Sequence, residues 1–166
     1  MVDLEIHPVR PDEAPALGAA GGQAGYVRDR LARQSEGRGL LLAAWLGGEA
    51  VGSVYLWLEA AEEPEIREHL PETPLLTHIE VFAGHRNQGI GTQLVETAEQ
   101  LLRARGHKAV VLAVEQSNDG AERLYKRLGY QDWDFGPVRC VQREWLPDGT
   151  LEETREECTV LVKLLG

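Results

Sequence analysis

Apolar residues along the 166-residue chain fall into two rhythms, one of period two and one of period 3.6. Leu4, Ile6 and Val9 are spaced for a short first strand, which Pro8 and Pro11 break. Residues 12–36 read as a helix in two pieces, interrupted at Gly21-Gly22. The second piece sets Tyr26, Val27, Arg30, Leu31 and Gln34 at helical spacing. Residues 40–46 and 50–58 flank Gly47-Gly48-Glu49 and predict a hairpin. Residues 59–75 contain Pro64, Pro71 and Pro74 and predict a loop, with one helical turn near Ile66 to Leu70.

A strand over 75–82 follows, then the clearest helix, over 89–105. Its Ile90, Leu94, Ala98 and Leu101 share a face, with Gln93, Glu96, Glu99 and Arg103 elsewhere, and Gly106 ends it. Residues 109–114 are continuously apolar, as a strand covered on both faces requires. Ser117, Asn118 and Asp119 start another helix that runs to Leu128 and stops at Gly129. Residues 138–146 and 151–165 flank Pro147-Asp148-Gly149-Thr150 and predict a closing hairpin. The expected fold is a single α/β domain over 1–166. Its mixed sheet has about six to seven strands and about four flanking helices, and is antiparallel at both ends.

Composition adds exclusions. At 43% apolar and 27% charged residues a packed core is expected. The net charge of −10 argues against a nucleic-acid partner, which calls for a basic patch. The longest apolar run, Leu40 to Leu46, is too short to cross a bilayer, so no membrane partner is expected. The acidic start, Met1 to Glu5, is unlike a secretory signal and reads as cytoplasmic. Cys140 and Cys158 are too few for a zinc site, and no metal is expected. They lie on opposite arms of the closing hairpin and are expected to stay thiols in a reducing compartment. Divided along the chain, residues 59–75 carry −5 and residues 131–166 carry −4, whereas residues 76–130 carry +1.

That middle segment holds the candidate chemistry. Between a strand and the long helix lies Ala83-Gly84-His85-Arg86-Asn87-Gln88-Gly89-Ile90-Gly91-Thr92. The N–H groups of Gln88, Gly89, Gly91 and Thr92 are positioned to meet an anion favoured by the helix dipole. Gly89 and Gly91 admit a pyrophosphate close to the backbone, and Arg86 adds a cation. The loop is neither a Walker A motif nor the dinucleotide fingerprint, whose third glycine would fall at Leu94. On the preceding strand His78 and Glu80 share a face, and a carboxylate in a central strand is unusual unless paired or used. Tyr125 lies two helical turns after Asn118, with the small Ala121 between them on the same face.

Arg86-x-x-Gly89-x-Gly91, after a strand ending at Val81, resembles the acyl-CoA signature of the GNAT N-acetyltransferases. Asn118-x-x-Ala121-x-x-x-Tyr125-x-x-x-Gly129-Tyr130 resembles a second block of that family, in the right order and on the right element type. Both blocks lie within residues 76–130, the expected CoA-binding core and about a third of the chain. The resemblance implies a central parallel pair of strands that splay apart. It also implies acetyl-CoA, or another acyl-CoA, as co-substrate. Its free strand peptides imply that the Val81 N–H polarises the thioester carbonyl and that Ala83 contacts the cofactor. Arg86, Gln88, Gly89, Ile90, Gly91 and Thr92 would hold its phosphates. Asn118 would hydrogen-bond it, or serve only as a helix cap. Tyr125 would protonate the departing thiolate, and Glu80 would be the base, directly or through water, with His78 the other candidate. One departure is Ala83-Gly84-His85, where many members carry a proline before the arginine.

The acid surplus in the segments expected to wall the acceptor site suggests a small cationic amine as acceptor. A protein N-terminus or lysine is the other acceptor class. A sensor that binds acyl-CoA without catalysis is the reading from another class. The oligomeric state is open, a homodimer included.

Overall fold

The computed structural model describes residues 3–166, so residues 1 and 2 of the acidic start lie outside it. Strand β1 (Leu4–Pro8) leads through a 3-10 turn (Pro11–Glu13) into helices α1 (Ala14–Gly21) and α2 (Ala24–Ser35). Strands β2 (Gly39–Leu46) and β3 (Glu49–Trp57) form the first hairpin. Helix α3 (Pro64–His69) interrupts the proline-rich loop before β4 (Leu75–Val81). Then come α4 (Ile90–Ala104), β5 (Ala109–Glu115), α5 (Asp119–Arg127), the two-residue β6 (Gln131–Asp132), β7 (Val138–Trp145) and β8 (Leu151–Leu164). Helix α3 is the helical turn expected near Ile66 to Leu70, whereas the sequence reading missed β6, which is too short to set up a periodicity.

The strands form one sheet in the order β1-β2-β3-β4-β5-β8-β6, and β7 also pairs with β8. The long β8 makes this possible: residues 158–164 pair with β5, while residues 151–158 pair with β7. All pairings are antiparallel except β4 with β5. Helices cover both faces, which explains the continuous apolar runs. Along β2, Leu41, Ala43 and Trp45 enter the core under α1 and α2, and Leu42 and Ala44 enter the one under α4 and α5.

Helix α4 buries Ile90, Leu94, Val95, Ala98 and Leu102. It also buries Glu99, which the sequence pattern assigns to the polar face and which is 2% exposed. The carboxylate is tolerated because Tyr130 Oη donates to it at 2.8 Å and Lys163 Nζ at 2.9 Å. These bonds tie α4 to β8 and to the end of α5.

Strand β4 departs from simple alternation. Ser53 faces Glu80 and Tyr55 faces Thr77, so three steps of β4 oppose two of β3. The extra residue is a β-bulge near His78, whose φ of 52° is left-handed. The bulge reverses the faces: Leu76 and Val81, of opposite parity, both face the α4 side, whereas Leu75 and Phe82 face the α2 side. His78 and Glu80 share a face, as their alternation with Ile79 and Val81 predicts, and the bulge sets which face of the sheet that is.

Gly52 of β3 keeps β4 in place at that point. A Cβ added to it would stand 2.7 Å from the carbonyl oxygen of Glu80. Gly52→Ala is therefore expected to cost about 1–3 kcal/mol in urea denaturation by pushing β4 away. Unchanged stability would show that β4 is free to move.

Candidate active site

The site begins with a gap in the sheet. Strands β4 and β5 are paired only at Leu75 and Val111, where Val111 N–H donates to Pro74 O at 3.0 Å. Beyond this point they diverge. Phe82 N–H donates to Val51 O of β3 at 2.9 Å. Neighbouring peptides in a strand point to alternate sides, so the Val81 peptide points into the gap. Its carbonyl is taken by Arg86 Nε at 3.1 Å.

A cleft of about 290 Å³ passes through this gap. Asn118, Ala121 and Tyr125 line it on the α5 side, and Tyr26, Arg30, Trp57 and Trp145 on the α2 side. His78 and Ile79 of β4 and Ala113 to Glu115 of β5 form its walls. The single cleft thus joins two faces of the sheet.

The loop after β4 runs directly into the N-terminus of α4. Gly89, at φ 79°, is the N-cap of α4, and no side chain caps the helix. The N–H groups of Gly89, Ile90, Gly91 and Thr92 have no intrahelical acceptor by helix geometry. A Cβ at Gly89 would meet nothing within 4 Å, so the space before the helix is open. Ala83, Arg86, Gln88 and Gly89 are exposed and Ile90 is buried. An anion at this end meets free donors and the positive end of the dipole.

Tyr125 is 8% exposed, and burial pushes its hydroxyl up to about 12. It stays a neutral phenol, able to donate, across the physiological range. Asn118 is the N-cap of α5, its Oδ1 accepting from Ala121 N–H at 3.1 Å. That bond engages the amide oxygen and leaves the amide N–H₂ for a ligand. His78 Nε2 lies 3.2 Å from Glu80 Oε2 and 3.0 Å from Gln23 Oε1, and its ring centroid lies 4.2 Å from that of Tyr26, the two planes tilted by 30°.

The acid of residues 59–75 is neutralised in part, since Glu59 and Glu62 are ion-paired while Glu65, Glu68 and Glu72 are exposed. Glu59 accepts from Arg33 and Arg38, and Glu62 holds Arg143 with two bonds of 2.6 Å. Arg143 holds the Glu62 carboxyl below its usual range, whereas burial pushes Glu63 up. Further acid lies along the hairpin, in a groove of about 330 Å³ whose lining includes Glu115, Glu144, Glu152 and Glu156 together with Arg143. Glu144 and Glu152 stand directly across the strands, and burial together with Glu156 pushes the Glu115 carboxyl up.

The sequence reading gave Tyr26 and Arg30 no part in the site. The available signal was an arginine on the apolar face of α2, which is 7% exposed. Trp57 lines the cleft. Trp133 instead packs edge-on to His69 and Phe135, and Trp145 lines the cleft. Cys140 and Cys158 are both buried thiols. Among the described residues no cluster of metal-ligating side chains occurs, and no helix is long and apolar enough to cross a membrane.

Comparison with known proteins fits this geometry. The chain is 38% identical over 105 residues to N-acetyltransferase 8B of Rattus norvegicus, a match covering 58% of this chain and 45% of that protein. The chain spans less than half the length of the curated relatives it matches first. Its fold is similar to the ribosomal-protein-S18-alanine N-acetyltransferase from Escherichia coli, with TM-score 0.69 at 19% identity over 99% of this chain and 95% of that one. A GNAT family acetyltransferase from Elizabethkingia anophelis with acetyl-CoA bound aligns with TM-score 0.63 at 19% identity, covering 97% of each chain. Residues 7–130 match the model of the acetyltransferase (GNAT) family, and the chain belongs to that family.

Proposed function

We propose that the chain transfers an acetyl group from acetyl-CoA to a primary amine, probed first as a small cationic molecule, by direct attack in a ternary complex. The observation that carries this reading is the cleft through the sheet, with Tyr125 on one side of the gap and His78 with Glu80 on the other. When bound, acetyl-CoA supplies an activated acyl thioester. The open N-terminus of α4 and Arg86 fit its phosphates, and the N–H of Val81 fits its extended arm. Ala83, Gln88, Gly89, Ile90, Gly91, Thr92 and Asn118 complete the cofactor side of the proposal.

Two proton movements follow from the residues. An alkylammonium must lose a proton before its nitrogen can attack. Glu80, supported by His78, receives that proton, directly or through one water. The Val81 N–H stabilises negative charge that develops on the acyl oxygen. Tyr125 then hands its phenolic proton to the departing sulfur, a role that its burial supports by keeping it neutral. A sensor that only binds acyl-CoA would have no use for this pair of groups on opposite sides of the gap.

Tyr125→Phe is expected to lower kcat by about 100-fold. Equal turnover would remove Tyr125 from the mechanism. An ordinary tyrosine ionises near pH 10. With Tyr125 raised to about 12, kcat is expected to hold through about pH 10 and fall only above it. A fall with its midpoint near 10 would contradict a buried donor. Glu80→Gln is expected to lower kcat/KM by about 100-fold while acetyl-CoA still binds. If only His78→Gln does so, the base is the histidine.

The hairpin carboxylates support a cationic acceptor, since their field would draw it toward the cleft. For such an amine kcat/KM is expected to fall as salt is raised, and salt independence would contradict steering.

A further inference from the structure

Four buried side-chain atoms lack partners among the described residues, Tyr26 Oη, Arg30 Nε, Tyr55 Oη and Trp45 Nε1, and the first two belong to residues that line the cleft. Tyr26 and Arg30, one turn apart on α2, are 3% and 7% exposed and both line the cleft. Arg30 donates from Nη1 to Asp29 Oδ2 at 2.6 Å. Its Nε finds no acceptor among the described residues, and the Tyr26 hydroxyl finds no partner. Buried donors are nearly always satisfied in native proteins, so two orphans at one end of a cleft point to a missing oxygen acceptor.

The guanidinium cannot simply turn away to water. Its Cζ lies 4.9 Å from the Tyr26 ring, 4.8 Å from Tyr55, and 5.7 Å from both Trp57 and Trp145. Such a box holds the cation in a low-dielectric setting, where its charge acts strongly on a bound anion. Arginine's planar fork, unlike an ammonium, matches the two oxygens of a carboxylate.

We propose that Arg30 and Tyr26 form a carboxylate-binding subsite, so that the acceptor is an amino acid or another small amino-carboxylate. This rests on the acyltransferase reading and selects, among primary amines, those that also carry a carboxylate, of which only the basic amino acids keep a net positive charge. The neighbouring charges permit it. Asp29 is shared with Arg33, and Glu62 is held by Arg143. Of the remaining acids lining the cleft, burial is the leading cause that pushes both Glu63 and Glu115 toward the neutral form. The subsite also adjoins the proposed base: His78 touches Tyr26 on one side and Glu80 on the other. An α-amino acid anchored by its carboxylate at Arg30 would therefore bring its nitrogen toward that pair.

Binding and turnover separate the possibilities. Intrinsic tryptophan fluorescence, to which Trp57 and Trp145 of the cleft contribute, is titrated with CoA present against the standard amino acids, tryptophan and tyrosine omitted, and their primary amides. At least one acid is expected to bind ten-fold or more tightly than its amide. Tyr26→Phe and Arg30→Lys are each expected to bring that ratio within about three-fold of unity. Tyr26→Phe keeps the ring and removes a hydroxyl without a partner, so it decides the matter if Arg30→Lys fails to fold. Equal binding of acids and amides overturns the subsite, as do tighter binding of amides, binding of neither set, or a preference that survives both substitutions. CoA release is measured in parallel. Acid-selective binding without CoA release on any amine keeps the subsite and removes the acyltransferase reading. Release with acids and amides alike keeps that reading and removes the subsite.

Discussion

A backbone peptide in the middle of a sheet must find a hydrogen-bond partner or be left open to something else. Strands β4 and β5 pair at one position and then part, so the Val81 peptide faces a gap. Neither strand is free to swing back. Strand β4 is held along β3, with the bulge at His78 and the absent side chain of Gly52 setting its path. Strand β5 is held along seven residues of β8. The gap is thus built in by the neighbours on each side, and the cleft follows from it.

The same constraint divides the chemistry between two faces. The face covered by α4 and α5 contributes free helix N–H groups, Asn118 and a neutral phenol. The face covered by α2 contributes His78 with Glu80, and an arginine boxed by aromatic rings. The bulge matters to both, because it sends His78 and Glu80 to the α2 side while Val81 keeps its side chain on the α4 side. A regular strand could not do this with the same residues.

Much of this was legible in the sequence. Period-two and period-3.6 patterns located every long element, and the glycine-rich loop and the Asn118 to Tyr130 block marked the proposed cofactor side because they rely on local spacing. The acceptor side was harder to read. It is assembled from α2, β4, β7 and the loop after β3, which are distant in sequence and carry no shared spacing. The pairing of Glu62 with Arg143, 81 residues apart, changes the meaning of the acidic stretch and leaves no mark in the sequence. The burial of Glu99 was missed for the same reason, since its partners Tyr130 and Lys163 lie on other elements. The bulge at His78 was invisible because its left-handed residue is not a glycine.

Amide hydrogen exchange at Val81, measured by NMR with and without acetyl-CoA, tests the central claim most directly. The account predicts rapid exchange of the Val81 N–H in the free protein, slow exchange at Phe82, and protection of Val81 by ten-fold or more once acetyl-CoA is bound. A Val81 amide already protected in the free protein, or one that acetyl-CoA leaves unchanged, would contradict it.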